Sequence, residues 1–536
     1  MKRTLLLFLI GWSFLSFGQT EDAFVYFTNK PNAPYFLNNP LEMLSQRALE
    51  RRQNQNISLD ITDAPLHLPY INQIENSVLV LAQSKWLNAV YVRGDYQVIL
   101  TLNNLSFVEN IEFVNKSLNS QGRKSTSIQK SLGAQKSLEI QENFLYGDSA
   151  NQIQLHNGEF LHQQGFTGSG KIIAVIDTGF EGVNTTTPFQ RLFDNNLILG
   201  GYNFVLRNDN IYTGGNHGTR VLSVIGGYQE NELIGTAPNA EFYLFVTENP
   251  NSESPLEEAL WVEAAEMADS LGVDIINTSL GYDTFDNSAH NHSYEDLDGT
   301  TTFISRGLNH AHSKGILCVT SAGNSGNSDW LYISAPADAQ GSLTVGAVTS
   351  EGKYAWFSSI GPTFDQRIKP DVTAQGAATV FSNQNGNITA GNGTSFSAPV
   401  ISGLAACLWS AYPNLTNVQL KHLIKQSAHL HQNPNNYLGY GIPDFYQAYQ
   451  TGLLEIKNPD KQQFVLYPNP ALDSISFYGD FSENMNLKIF DVSGKEILNC
   501  TITSDEKINI QALASGIYLY QITTQNNTQT GKVIKK

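Results

Sequence analysis

The hydrophobic period changes twice along the chain, and each change marks a different architecture. Lys171 to Asp177 (KIIAVID) is an almost unbroken apolar run, as expected of a strand covered on both faces of a parallel sheet. Glu241 to Val246 repeats that pattern. From Pro255 to Ser270 the residues Leu256, Leu260, Ala264, Met267 and Ala268 recur at steps of three and four, which predicts an amphipathic helix. Val273 to Asn277 reads as a strand, Phe303 to Ser313 as a helix and Gly315 to Ser321 as a strand. This alternation, over residues 150 to 450, predicts an α/β fold: a parallel sheet with helices on both faces and ligands at the carboxyl ends of its strands. Upstream, Glu21 to Asn115 combines a charged helical segment, Leu41 to Arg52, with runs that read as strands, Val78 to Leu81 and Tyr96 to Leu100. Asn115 to Lys136, rich in Ser, Asn, Gln and Lys around Arg123-Lys124, reads as an exposed linker open to proteolysis. Beyond a polar bridge, Lys457 to Gln463, the period falls to two. Ser474 to Phe477, Leu487 to Phe490, Ile508 to Ile510 and Tyr518 to Ile522, with turn signals such as Ser493-Gly494, predict a small all-β sandwich.

The amino terminus has an export pattern. Lys2 and Arg3 precede an apolar run from Leu5 to Phe17, and Ser16-Phe17-Gly18 resembles a small-x-small cleavage site. That run is too short to cross a bilayer, and no later segment is expected to reach the ~18 residues needed. A length of 536 residues fits three or four folding units. The 32 basic and 49 acidic residues give a net charge of −17, which argues against a nucleic-acid or anionic-membrane binder. Three cysteines, Cys318, Cys407 and Cys500, make no disulfide framework, and no CxxC pair offers a thiolate metal site. Cys318 and Cys407 sit in apolar runs and are expected to be buried packing residues.

Four segments could carry chemistry. Asp177 closes the first apolar strand in Ile176-Asp177-Thr178-Gly179, although such an aspartate is often only a turn former. The DTG triplet also occurs in aspartic peptidases, but those need a second carboxylate, and no second DTG or DSG is present. Asn216-His217-Gly218-Thr219 looks like a histidine opening a helix, with a glycine that permits close backbone approach. In Asn392-Gly393-Thr394-Ser395-Phe396-Ser397-Ala398-Pro399, Ser395 stands at the amino end of a buried helix, where unpaired N–H groups favour a forming oxyanion. From this octapeptide alone an ordinary N-cap serine is the better reading, whereas a phosphate cradle lacks its GK[ST]. Pro399 is expected to lie early enough in that helix for its missing donor to cost little. Thr320 to Gly326 ends a strand with Asn324 between glycines, free to aim an amide donor into a cleft. His290-Asn291-His292 and His310-Ala311-His312 lack a metal-ligand pattern. His310 and His312 at i, i+2 face apart, and His312 and Lys314 read as cations facing a helix carboxyl end.

Taken together, IDTG at Asp177, NHGT at His217, NTSLG at Asn277 to Gly281, SAGNSG at Asn324 and GTSFSAP at Ser395 resemble the signature blocks of subtilisin-like serine peptidases, in that family's order. The resemblance implies a subtilisin-like parallel sheet, an exported serine endopeptidase and a single proton relay of Asp177, His217 and Ser395. It also implies an oxyanion donor at Asn324 and a substrate-pairing edge at Ser279, Leu280 and Gly281. Arg220, Leu222-Ser223 and Gln375 depart from the family pattern, and none is expected to touch a proton-transfer group. The first unit, with its Leu41 to Arg52 helix and Ser84 to Val90 segment, resembles subtilase propeptides that assist folding and block the cleft until cut. Tyr467-Pro468-Asn469-Pro470, Asp491 to Lys495, Leu513 to Tyr518 and Lys532 to Lys536 resemble type IX secretion sorting domains. The same strands also suit a carbohydrate-binding or adhesive sandwich.

The implied organisation is a signal peptide over 1–18, propeptide and linker over 19–147, peptidase over 148–453, linker over 454–463 and sorting sandwich over 464–536. The chemistry requires no cofactor; structural calcium accords with the resemblance, but no ligands can be named. The expected partners are polypeptide substrates and the type IX machinery, not nucleic acid, for a monomer that is not an integral membrane protein. Cleavage is expected between Asn115 and Gly147. A degenerate subtilase retained as an adhesin is disfavoured by the complete Asp, His and Ser set, and a lipase by the lack of GxSxG at Ser279 or Ser395.

Overall fold

A computed structural model describes residues 20–119 and 144–457, together with 464–467, 471–479, 485–491, 494–502, 507–523 and 528–536. The leader, the Arg123-Lys124 stretch, residues 458–463, Pro468 to Pro470 and Val492-Ser493 lie outside the described residues.

The first unit is a four-stranded antiparallel sheet of β1 (Thr20–Phe27), β2 (Leu79–Ser84), β3 (Ala89–Asp95) and β4 (Val108–Phe113), in the order β2-β3-β1-β4. Its period-two pattern divides it cleanly. Ala23, Val25, Phe27, Val90 and Val92 bury against Ile71, Ile74 and Ile99, while Phe24, Ala89 and Tyr91 face the next unit. Two expectations need correction. Tyr96 to Thr101 is a helix, because Asp95 accepts from the backbone N–H groups of Gln97 and Val98 and caps it. The charged helix spans Gln46–Asn54, because Ser45 caps it and Pro40 opens a separate turn upstream.

The middle unit carries seven parallel strands: β5 (Ile172–Asp177), β6 (Ile198–Asn203), β9 (Glu241–Val246), β10 (Ile275–Thr278), β11 (Leu317–Ser321), β12 (Ser342–Val348) and β13 (Val372–Gln375). A two-strand pair, β7 (Tyr228–Gln229) and β8 (Leu233–Ile234), stands apart. The sheet order is β13-β12-β11-β10-β5-β9-β6, so the chain goes from β5 to the β6 edge, returns to set β9 between them and then crosses to the other side. The crossing opens a crevice at the carboxyl ends of β5 and β10. Successive residues of β5 serve opposite faces. Ile173 and Val175 pack with the helices His217–Gly226 and Thr394–Ala411, and Ile172, Ala174 and Ile176 with Leu256–Leu271 and Phe303–Ser313. The Thr394–Ala411 helix has the length and apolar composition of a membrane span, which the sequence reading expected of no later segment; 83% of it is buried inside the fold.

The first unit docks on the second helical layer. Phe24 stacks on Phe303 at 3.9 Å. Toward the carboxyl end of the Leu256–Leu271 helix lies a buried ionic cluster: Arg52 pairs with Asp269 at 2.6 Å and with Asp63 at 2.8 Å, and Arg51 also pairs with Asp269. Burial works against the charge on Asp269, yet the two guanidinium groups hold it below its ordinary value. Lys314 turns to Asp63 and Asp60, at 3.2 and 3.3 Å, rather than to a helix end. His312 is not a cation there either, since burial, with Lys421 nearby, pushes it down to about 3.

In the middle unit β14 (Thr379–Ser382) and β15 (Ile388–Gly391) pair just before the Thr394–Ala411 helix; in the tail, β16 (Phe464–Tyr467), β17 (Ser474–Gly479) and β20 (Ile508–Asn509) form one sheet. The other holds β19 (Glu496–Ile502), β18 (Met485–Phe490), β21 (Gly516–Thr523) and β22 (Thr528–Lys535). Ile475, Phe477, Leu487, Ile489 and Ile522 fill the core between them.

Candidate active site

Asp177 is the last residue of β5 and has no exposed surface. Its Oδ1 accepts from Thr178 N–H at 2.8 Å and faces His217 Nδ1 at 2.8 Å. An Nδ1–H donated to the carboxylate leaves Nε2 as the acceptor of a neutral imidazole. His217 is the first residue of its helix, and the buried Val221, Leu222, Val224 and Ile225 hold that helix against the sheet. The close approach depends on Gly218. A Cβ there would lie 2.7 Å from Gly179 O, 2.8 Å from Phe180 Cε1 and 3.0 Å from Asp177 Cβ. Burial disfavours the imidazolium, but the Asp177 charge and hydrogen bond outweigh it and raise His217 above the ordinary histidine value. Arg220, one turn on, opposes this with its own charge.

Ser395 is the second residue of the Thr394–Ala411 helix and is half-buried. Its hydroxyl donates to Ser279 O at 3.2 Å, and the Ser279 hydroxyl donates back to Ser395 O at 2.9 Å. Thus the Asp177–His217 half of the expected relay is formed, whereas among the described residues the Ser395 hydroxyl is bonded to Ser279 and not to His217. Rotation about the Ser395 Cα–Cβ bond redirects that hydroxyl between staggered wells. The next residue along, Phe396, lies with its ring 6.0 Å from the His217 ring.

Asn324 leaves β11 with its amide oxygen held by Thr394 N–H at 2.8 Å and Thr394 Oγ–H at 3.0 Å. The oxygen being so engaged, the exposed NH₂ is left as a donor toward solvent. Ser279, Leu280 and Gly281 leave β10 progressively, from buried to half-buried to exposed. All these groups sit at the carboxyl ends of β5, β10 and β11 or in the first turn of a helix.

The subtilase family model matches residues 168–441. The chain belongs to the subtilase family. Residues 22–131 of this subtilase match the peptidase S8 propeptide domain of Bacteroidota, and residues 465–536 match the secretion system C-terminal sorting domain. The thermostable alkaline protease of Halalkalibacterium halodurans is 30% identical over 292 residues, which cover 54% of this chain and 70% of that protein. Subtilisin NAT of Bacillus subtilis subsp. natto is 31% identical over 293 residues, covering 54% and 68%. Subtilisin DY of Bacillus licheniformis is 28% identical over 300 residues, covering 56% and 97%. This subtilase is a serine endopeptidase made as a precursor and exported through the type IX route, to be secreted or attached at the cell surface.

The departures from the family pattern have local explanations in this subtilase. The Arg220 guanidinium lies over the Phe381 ring at 5.8 Å, so it reaches His217 through its field rather than by contact. Gln375 ends β13 and accepts from Asn151 Nδ2 at 2.7 Å, tying the start of the unit to its far edge. Oxygen ligands suited to a hard cation converge at Glu248, Glu253 and Glu257, within 4.8 Å of one another. Two of these carboxylates are already engaged, Glu248 by Tyr282 O–H and Glu257 by the N–H groups of Asn249 and Ser254. Asn277, Thr394 and Ser402 also belong to the site, and sequence reading assigned them no part in it. Thr394 stands inside the GTS motif and Asn277 inside NTSLG, whereas the contact of Asn277 with Ser402, across 125 residues, leaves no local signal.

Proposed function

We propose that this subtilase cleaves extended polypeptides through an acyl-enzyme on Ser395. The Ser395 Oγ attacks the scissile carbonyl carbon while its proton passes to His217 Nε2. Asp177 holds the imidazole in the productive tautomer and stabilises the imidazolium. The Asn324 NH₂ and the Ser395 backbone N–H receive the developing oxyanion, a contribution of about 3 kcal/mol per donor. His217 then gives its proton to the leaving amine, and a water molecule repeats the sequence on the ester to release the acid. The substrate backbone pairs with Ser279 to Gly281 as an added strand.

The observation that carries this reading is the 2.8 Å Asp177–His217 contact at the sheet crevice, beside a helix whose first turn bears Ser395. Ser395→Ala is expected to abolish casein cleavage and to leave the precursor uncut, and a fluorophosphonate probe is expected to label Ser395 in the wild type. A variant that matures and digests casein normally refutes the assignment.

A further inference from the structure

Pro399 lies inside the Thr394–Ala411 helix, one full turn after Ser395. A proline has no N–H, so the carbonyl four residues earlier, that of Ser395, loses its helical donor. The sequence predicts that this loss is cheap because the proline comes early. In the structure the deficit falls on the backbone of the reactive serine itself, and it is filled from outside the helix.

The donor is Ser279 Oγ, 2.9 Å from Ser395 O. Asn277 Nδ2 donates to that same Oγ at 3.1 Å, and Asn277 Oδ1 accepts from Ser402 Oγ at 2.8 Å. A line of three side chains therefore leaves the serine helix at Ser402, crosses the end of β10 and returns to the helix at Ser395. Asn277 and Ser402 have no exposed surface and Ser279 has 4%. Direction follows from the proton count. Ser395 O can only accept, so the single Ser279 hydrogen goes to it; the Ser279 oxygen then accepts from the Asn277 NH₂, and the Asn277 amide oxygen is left to accept from Ser402. Ser279 thus holds the serine at two points, since its own carbonyl also receives the Ser395 hydroxyl at 3.2 Å.

We propose that Asn277 is a positioning residue for proteolysis. It orients the Ser279 hydroxyl onto the carbonyl that Pro399 leaves free, and so keeps the reactive serine in register with the edge that receives substrate. This inference rests on Ser395 as the nucleophile. A misplacement of about 1 Å at the reacting centre costs on the order of a hundredfold in rate, and the pinned carbonyl belongs to the residue that must be placed.

The test uses the full precursor, processed to the mature enzyme, with Asn277→Ala, Ser279→Ala, the double variant and Ser279→Thr. Steady-state kinetics on a peptide anilide and the rate of fluorophosphonate labelling at Ser395 are measured on each. Asn277→Ala is expected to lower kcat and the labelling rate about 10- to 100-fold with KM nearly unchanged. The double variant is expected to be no worse than the poorer single one, because both remove the same support. Ser279→Thr, which keeps the hydroxyl, is expected to retain most of the rate. A loss confined to KM, additive losses in the double variant, or wild-type labelling in folded Asn277→Ala each overturn the proposal. Where Asn277→Ala yields no folded protein, Ser402→Ala is read by the same criteria, and a wild-type kcat there is equally fatal. No labelling of Ser395 in the wild type refutes the nucleophile assignment itself, whereas normal wild-type labelling with unchanged rates in every variant refutes only the role of Asn277.

Discussion

His217 sits between two opposing fields, the Asp177 carboxylate that favours its proton and the Arg220 guanidinium that disfavours it. A general base must be neutral before it can accept a proton, so kcat/KM rises with pH through the His217 titration. Removing the cation stabilises the imidazolium, and Arg220→Ala is therefore expected to move the acid limb of the kcat/KM profile to higher pH. A limb that stays in place, or moves down, shows that the Arg220 charge does not reach the ring. At this scale the sequence was legible where one local rule sufficed. Asp177 ends an apolar strand and Ser395 opens a helix, as the motifs implied. The Asn277–Ser402 contact was not legible, because period and propensity carry no information about a hydrogen bond between distant positions.

Elements of strong period were read closely. Phe303–Ser313 has the expected bounds, and Leu256–Leu271 begins and ends one residue later than expected. At Tyr96 to Leu100 the pattern predicts a strand and a helix forms. A short apolar run suits a strand or a helix equally, and the decision lay in Asp95, whose carboxylate satisfies two N–H groups of the first turn. The histidine helix depends on its contact with the β5 turn. Gly218→Ala puts a methyl group 2.7 Å from Gly179 O, so either the helix or the Asp177 turn must shift. The expected result is a stability loss of about 1–3 kcal/mol, read by urea unfolding, together with a drop in kcat. If both remain at wild-type levels, the close approach is dispensable.

Across the whole molecule, the propeptide is bound by a cluster that pairs charges in both directions: its Arg51 and Arg52 reach Asp269, and Lys314 of the middle unit reaches its Asp60 and Asp63. Arg52 is almost wholly buried between Asp63 and Asp269. Its removal takes one of two cations from each of two buried carboxylates, leaving Asp269 to Arg51 and Asp63 to Lys314. In an uncut Ser395→Ala precursor, Arg52→Ala is expected to cost about 3–5 kcal/mol, measured by urea unfolding. A change below about 0.5 kcal/mol, the range of a surface substitution, would mean that the cluster contributes nothing to closure. Sequence indicated three kinds of architecture from the change in period, but not this cluster, since neither arginine announces its partner. The same docking also conceals a line of acids along one flank of the Leu256–Leu271 helix and the strand after it. Glu266 is covered by Ser84, Lys85 and Trp86, Glu263 takes the N–H of Gln83, Asp269 meets Arg51 and Arg52, and Asp274 meets Arg47. Release of the propeptide therefore unmasks an electronegative stripe beside the Leu256–Leu271 helix, so that zymogen and mature enzyme present differently charged exteriors to whatever surface they meet.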